Sequence, residues 1–276
     1  MRLVAAVVLA VALGVGVGYG GWRLWLKSSD LLRPVVVLRH EDAAAVVEPS
    51  LAARVSALTS AAHPPPAAAK RFVALTFDDG PYPVTTPLLL QTLHDLKVPA
   101  TFFLIGRDAE QFPALTRAIA AGGHEIGDHT LTHPDLDRLT DAGVRSELRG
   151  GALALRRIAP ESSESRLFRP PHGRYTLATL RAAQAAGFDT ILWSDDPGDW
   201  RTIPGDALLT HLLIHATSPE VILLHSGRIA TVTMLPELVA RYRAAGYRFV
   251  TVGTLLRSAA VTDLNRPAKI SLVVGT

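Results

Sequence analysis

Two adjacent carboxylates, Asp78 and Asp79, end the apolar run Phe72-Val73-Ala74-Leu75-Thr76-Phe77 and are followed directly by Gly80-Pro81. Asp-Gly and Gly-Pro are ordinary turn formers, but paired carboxylates at a strand end can also hold a cation or move a proton. Further along, Gly127-Asp128-His129-Thr130-Leu131-Thr132-His133 places two histidines four residues apart. On one helical turn that spacing lets both imidazoles face a single metal ion. Pro134 disfavours helix at His133, so the turn is expected to stop there. A lone pair of this kind is weak evidence. His211 and His215 repeat the spacing in a leucine-rich segment with no flanking carboxylate, and that pair reads as packing. His124-Glu125 with His129 misses the His-Glu-x-x-His spacing by one residue, and Gly127 weakens the helix it would need.

Three further polar clusters each follow a short apolar run. They are Arg169-Pro170-Pro171-His172-Gly173-Arg174-Tyr175, Trp193-Ser194-Asp195-Asp196-Pro197-Gly198-Asp199-Trp200 and Ile222-Leu223-Leu224-His225-Ser226. The elements that must carry these residues are readable from hydrophobic period. Apolar runs at 72–77, 100–105, 125–126, 167–169, 190–193, 221–224 and 248–251 predict seven strands. Amphipathic stretches at 86–96, 112–121, 141–158, 176–186, 206–215 and 231–245 predict helices, the second closed by Gly122-Gly123. Such alternation implies an α/β fold on a parallel sheet, open or closed into a barrel. Active sites of these folds lie at the carboxyl ends of the strands. All of the clusters sit there.

Taken together and in order, the five clusters resemble the polysaccharide deacetylase (NodB-homology) family, carbohydrate esterase family 4, over about residues 71–256. The resemblance implies a distorted or incompletely closed (β/α) barrel of about seven parallel strands. It implies that Asp79, His129 and His133 hold one divalent metal ion, usually zinc. Asp78 then matches the general base, and Arg169 the residue that pairs with it and orients it. His225 matches the general acid, with Asp199 as its carboxylate partner. Leu223 matches the acetyl-pocket lining and Trp200 an aromatic wall. Pro171, His172 and Gly173 match a substrate-contacting segment, with a backbone N–H near His172 directed at the oxyanion. One carboxylate plus two imidazoles leaves coordination positions open for water and substrate, as a catalytic site requires.

The implied reaction removes N-acetyl groups from an amino-sugar polymer. O-deacetylation of a polysaccharide such as xylan is one alternative, and a non-catalytic sugar-binding module on the same fold is another. Three positions depart from the family pattern. His172 stands where an aromatic residue, often tyrosine, is common. Ser226 stands where aspartate is frequent, which bears on how His225 is oriented. The Asp195-Asp196 pair adds a carboxylate to the cluster at 193–200.

The 276 residues suffice for one large domain or two small ones, and 48% hydrophobic composition allows a full core. A formal charge of +3 without any Lys/Arg block argues against a nucleic-acid partner. With no cysteine, disulfide scaffolds, thiolate metal sites and cysteine nucleophiles are excluded. Residues 3–22 are apolar or glycine without a charge, enough for one membrane-spanning helix. A cleaved signal peptide is the alternative, although Ala10-Val11-Ala12 falls mid-run. Arg2 on one side and Arg23, Lys27 and Arg33 on the other lean slightly against export by charge bias. The implied polysaccharide substrate favours it, so a membrane-anchored domain outside the cytoplasm is expected. The chain thus divides into an anchor or signal segment (1–27), an Ala/Pro-rich stalk (28–70), the catalytic domain (71–256) and a tail (257–276). Three consecutive prolines, Pro64-Pro65-Pro66, make the end of the stalk semi-rigid.

Overall fold

The computed structural model describes residues 37–38, 71–161 and 166–263. The predicted anchor or signal segment and nearly all of the predicted stalk lie outside them. Among the described residues no helix is long and apolar enough to cross a membrane.

Seven parallel strands form the frame: β2 (Arg71–Asp78), β3 (Thr101–Leu104), β4 (Glu125–Asp128), β5 (Leu167–Phe168), β6 (Asp189–Ile191), β7 (Glu220–His225) and β8 (Tyr247–Phe249). They run in the order β6-β5-β4-β3-β2-β7, with β8 against the start of β2. Beyond β6 the chain swings across to β7. Asp195 pairs in parallel with Ile222, the Ser194 N–H donates to the Val221 carbonyl at 2.9 Å, and the Leu223 N–H donates to the Asp195 carbonyl at 2.9 Å. The curled sheet is therefore a barrel with a thin seam between β6 and β7, as the expected distortion implied. A two-residue strand from the predicted stalk, β1 (Val37–Leu38), pairs antiparallel with β6. Nothing in the sequence signalled it.

Side chains on a strand alternate between its two faces, and this sorts the core from the site. On β2, Val73, Leu75 and Phe77 join the core beneath the helices, while Ala74 lies with the smaller cluster that holds Val221 and Phe103. Thr76 and Asp78 follow Ala74 on that inner face. On β7, Ile222 and Leu224 likewise face the helices, leaving Val221, Leu223 and His225 on the inner side. Each fully buried aromatic of the outer layer, such as Phe77 or Phe102, contributes about 1.5–3 kcal/mol by burial.

Around the sheet lie α1 (Thr85–Leu96), α2 (Gly106–Gln111), α3 (Pro113–Ala121), α4 (Asp141–Ile158), α5 (Leu177–Ala185), α6 (Gly205–His215), α7 (Ile229–Ala244) and α8 (Val252–Asp263). The helix predicted at 112–121 begins one residue later, because Pro113 suits a first helical position. A short helix, α2, precedes it. The Thr140 hydroxyl accepts the Gly143 N–H at 3.2 Å to start α4. Thr176 and Thr179 form a capping box at α5. The boundary predicted at 256 falls inside α8. That helix is anchored where the Val252 N–H donates to Thr101 Oγ1 at 2.9 Å and the Gly253 N–H to Glu125 Oε2 at 2.8 Å. Thr101 and Glu125 open β3 and β4, so α8 closes the amino end of the barrel and leaves the carboxyl end for the site.

Candidate active site

Asp79 lies one residue beyond β2 at φ +68°, and Gly80 follows at φ +71°. This left-handed turn after a buried strand directs the Asp79 carboxylate back over the barrel mouth. His129 follows β4, and His133 comes four residues later along a loop. The expected helical turn is absent. Thr130 and His133 instead sit at φ +69° and +59°, which is uncommon for residues with a Cβ and strained for a β-branched one. The loop is wired to hold that geometry. The Thr130 N–H donates to Asp128 Oδ1 at 2.9 Å, and the His133 N–H to Thr130 Oγ1 at 3.0 Å. Glu147, on α4, accepts from the Thr132 N–H at 2.8 Å and from its hydroxyl at 2.9 Å.

The result brings together Asp79, His129 and His133. Asp79 Oδ1 lies 3.7 Å from His129 Nε2 and 3.4 Å from His133 Nε2. The His129 Nδ1 lies 2.8 Å from the Arg169 carbonyl. A carbonyl only accepts, so Nδ1 carries the proton and the Nε2 lone pair faces Asp79. Burial holds the His129 imidazole neutral, with its pKa lowered to about 3 although the Asp79 charge opposes this. Burial lowers His133 as well. Neutral imidazoles beside a carboxylate are what a divalent cation requires. Tetrahedral zinc with ligands about 2.0–2.2 Å away separates its donor atoms by about 3.3 Å, so the three residues fit such an ion with small adjustments.

Asp78 ends β2 and is buried. Its Oδ1 receives Arg169 Nη1 at 2.7 Å, while Oδ2 stands 3.7 Å from His129 Nε2. Arg169 is completely buried and held from all sides. Nη1 also donates to Thr76 Oγ1 at 2.7 Å, Nε to the Ile191 carbonyl at 3.2 Å and Nη2 to the Leu192 carbonyl at 3.0 Å. Its guanidinium lies 4.1 Å from the Phe103 ring centroid. Removing either partner of such a pair strands a buried charge, at a cost of about 3–5 kcal/mol. Burial pushes the Asp78 carboxyl above its ordinary range, and the Arg169 charge opposes the rise.

His225 ends β7 in register with Asp78. Its Nδ1 is 2.7 Å from Asp199 Oδ1, and its backbone N–H donates to Asp199 Oδ2 at 2.8 Å. Thr231 Oγ1 adds a third donor to Asp199 at 2.6 Å. Burial alone would lower the His225 pKa, but its hydrogen bond to Asp199 and the charges of Asp78 and Asp199 raise it overall. The Ser226 hydroxyl donates to the Asp78 and Asp79 carbonyls, 3.2 Å from each, and so ties β7 to the turn that follows β2.

Of the remaining predicted residues, the 171–173 segment borders this centre. Pro171, His172 and Gly173 form a 3-10 turn. The His172 ring stands 4.6 Å from that of His133, and its Nδ1 lies 3.0 Å from Asp135 Oδ1. Gly173 sits at φ +64°, and a Cβ there would come within 2.6 Å of the Trp193 ring. Leu223 is buried on the inner face of β7, whereas Trp200 is half exposed.

The family described as polysaccharide deacetylase matches residues 66–191. A peptidoglycan-N-acetylglucosamine deacetylase of Bacillus cereus is 37% identical over 193 residues, covering 68% of this chain and 89% of that protein. The chain belongs to the polysaccharide deacetylase family. A chitooligosaccharide deacetylase of Bradyrhizobium is 40% identical over 157 residues, 57% of this chain and 71% of its own length. A crystal structure of a peptidoglycan N-acetylglucosamine deacetylase superposes with a TM-score of 0.65 at 35% identity, over 67% of this chain and 88% of that one.

Within this deacetylase fold, several positioning groups had no signal in the sequence. Glu147 and Thr231 reach the site from distant elements, and no motif spacing marks them; Asp128 stands beside His129 in its cluster, but its hold on the Thr130 N–H is not written in the spacing. The Asp195-Asp196 pair splits its duties. Asp196 Oδ1 accepts the Gly198 N–H at 2.8 Å and shapes the turn toward Asp199. Asp195 lies 2.8 Å from His211 Nε2. The His211 and His215 pair, read from sequence as lacking a carboxylate, gains one across the barrel seam.

Proposed function

We propose that this polysaccharide deacetylase removes N-acetyl groups from N-acetylglucosamine residues of a peptidoglycan, chitin-like or poly-N-acetylglucosamine chain. Asp79, His129 and His133 would hold the divalent ion it needs, zinc by the donor set. The observation that carries this reading is the pairing of Asp78 and His225. They are neighbours in register at the carboxyl ends of β2 and β7, beside the three metal-type donors. Each is oriented by a buried partner of opposite charge, Arg169 for the first and Asp199 for the second.

A divalent cation held by these three residues would polarise the amide carbonyl and make an attacking water more acidic. Asp78 takes the water's proton on Oδ2, since Oδ1 is engaged by Arg169. The Gly173 and Arg174 N–H groups close their turn on the Pro170 and Pro171 carbonyls, and the His172 N–H is the donor that the family resemblance assigns to a developing oxyanion. A carboxylate accepts only, so His225 Nδ1 carries a proton toward Asp199 and Nε2 serves the cleft. As the C–N bond breaks, Nε2 delivers its proton to the sugar nitrogen, and the products are acetate and a free amine. Leu223 backs the acetyl methyl, and the exposed face of Trp200 meets a sugar ring. The named activities of the Bacillus and Bradyrhizobium relatives support an amino-sugar substrate.

Acetate release from peptidoglycan, chitooligosaccharide and acetylated xylan tests the reading. Release is expected from the first two and from neither when Asp78 is replaced by Asn, which is nearly isosteric but a far weaker base. General base catalysis is typically worth about 10²–10⁴-fold. Release from xylan alone would make the enzyme an O-acetyl esterase. A loss below about tenfold in the Asp78→Asn protein would remove Asp78 from the role of base.

A further inference from the structure

A second group of metal-type ligands lies on the outer wall of the barrel. Asp195 is paired in register with Ile222, whose side chain packs beneath the helices rather than in the barrel mouth. The Asp195 side chain thus lies under α6. It is 2% exposed, and although Oδ1 meets His211 Nε2 at 2.8 Å, Oδ2 is buried without a hydrogen-bond partner. One turn along α6, the His215 ring lies against that of His211, tilted by 37° with centroids 4.3 Å apart. Its Nδ1 lies 2.8 Å from the His211 carbonyl. That contact places the proton on Nδ1 and the lone pair on Nε2, the arrangement common to metal-ligating histidines. The ligand atoms of the three residues lie within 4.8 Å of one another. Among the described residues no Lys or Arg forms an ion pair with Asp195, whose one ion-pair partner is His211.

We propose that Asp195, His211 and His215 form a second divalent-cation site of the zinc-binding class, which clamps α6 to the seam between β6 and β7. A buried carboxylate with an idle oxygen is costly unless a cation or donor meets it. Two imidazoles and one carboxylate are a zinc-type set. Exchanging the proton between His211 Nε2 and Asp195 Oδ1 for a metal ion widens their 2.8 Å spacing by only about half an ångström at zinc–ligand distances. His215 is exposed and gives the ion a path from solvent.

The test is metal stoichiometry of the full chain. Protein equilibrated with zinc and freed of loosely held metal is expected to carry two equivalents. His215→Ala and His215→Gln should each carry one and keep acetate release, while His129→Ala should keep one and lose it. In the His129→Ala background, added zinc should raise the unfolding temperature, because an ion that binds only the folded state stabilises it. His215→Ala should abolish that rise. A single equivalent in the wild type overturns the proposal. So does a second equivalent, or a zinc-dependent rise in unfolding temperature, that persists after His215 is replaced.

Discussion

Asp199 receives three hydrogen bonds, two of them from His225, and this fixes both the tautomer and the charge of the proposed acid. An unperturbed histidine titrates near 6.5, so most copies at neutral pH could not donate a proton. Burial would worsen this, and Asp199 with Asp78 reverses the effect. A raised pKa keeps the imidazolium present below that value and loses it as pH climbs past. The falling side of the pH–rate profile therefore belongs to His225, and the rising side to Asp78 with its water. Asp199→Asn removes the charge with little change of shape. The falling side should then move to lower pH while the rising side stays, with a rate loss at neutral pH within the roughly 10²–10⁴-fold worth of acid–base catalysis. Profiles of kcat/KM for the two proteins decide it. If neither side moves, or only the rising side does, Asp199 does not tune the acid. At this scale the sequence was informative, since Asp78, Asp79, His129, His133, Arg169, Asp199 and His225 all converge.

The elements were legible to the extent that their signal is local. Apolar runs located the strands and therefore the strand ends, because burial on both faces writes a continuous hydrophobic stretch. The loop at 129–133 was not legible. The four-residue spacing of its histidines predicts a helical turn, but the structure reaches the same convergence through left-handed residues held by Asp128 and Glu147. No local pattern encodes a contact between Thr132 and a carboxylate on another helix. Glu147→Ala should leave the helical content intact and weaken metal binding by about 10–100-fold, the usual effect of losing a group that orients ligands. Glu147→Gln, which keeps an acceptor, should recover part of it. Competition with a chelator measures this, and equal affinity in all three proteins would show that the loop holds itself.

Across the whole molecule, the barrel gathers five strand ends, or the residues just past them, into one mouth, and α8 closes the opposite end. That closure could not be read from the sequence, because α8 is anchored by Thr101 and Glu125 from strands far away in the chain. We further propose that residues 3–22 anchor this domain outside the cytoplasm, where such polymers lie. Protease added to spheroplasts should digest the domain without lysis, and protection until lysis would reverse the topology, as the flanking Arg and Lys residues favour. The central claim is that Asp79, His129 and His133 hold the ion on which hydrolysis depends. Acetate release from chitooligosaccharide, measured before and after exhaustive chelation and again after zinc is restored, tests it most directly. The account predicts activity lost with the metal and regained with zinc in the wild type, and neither bound metal at this centre nor activity in His129→Ala. Full activity in protein verified as metal-free would contradict it.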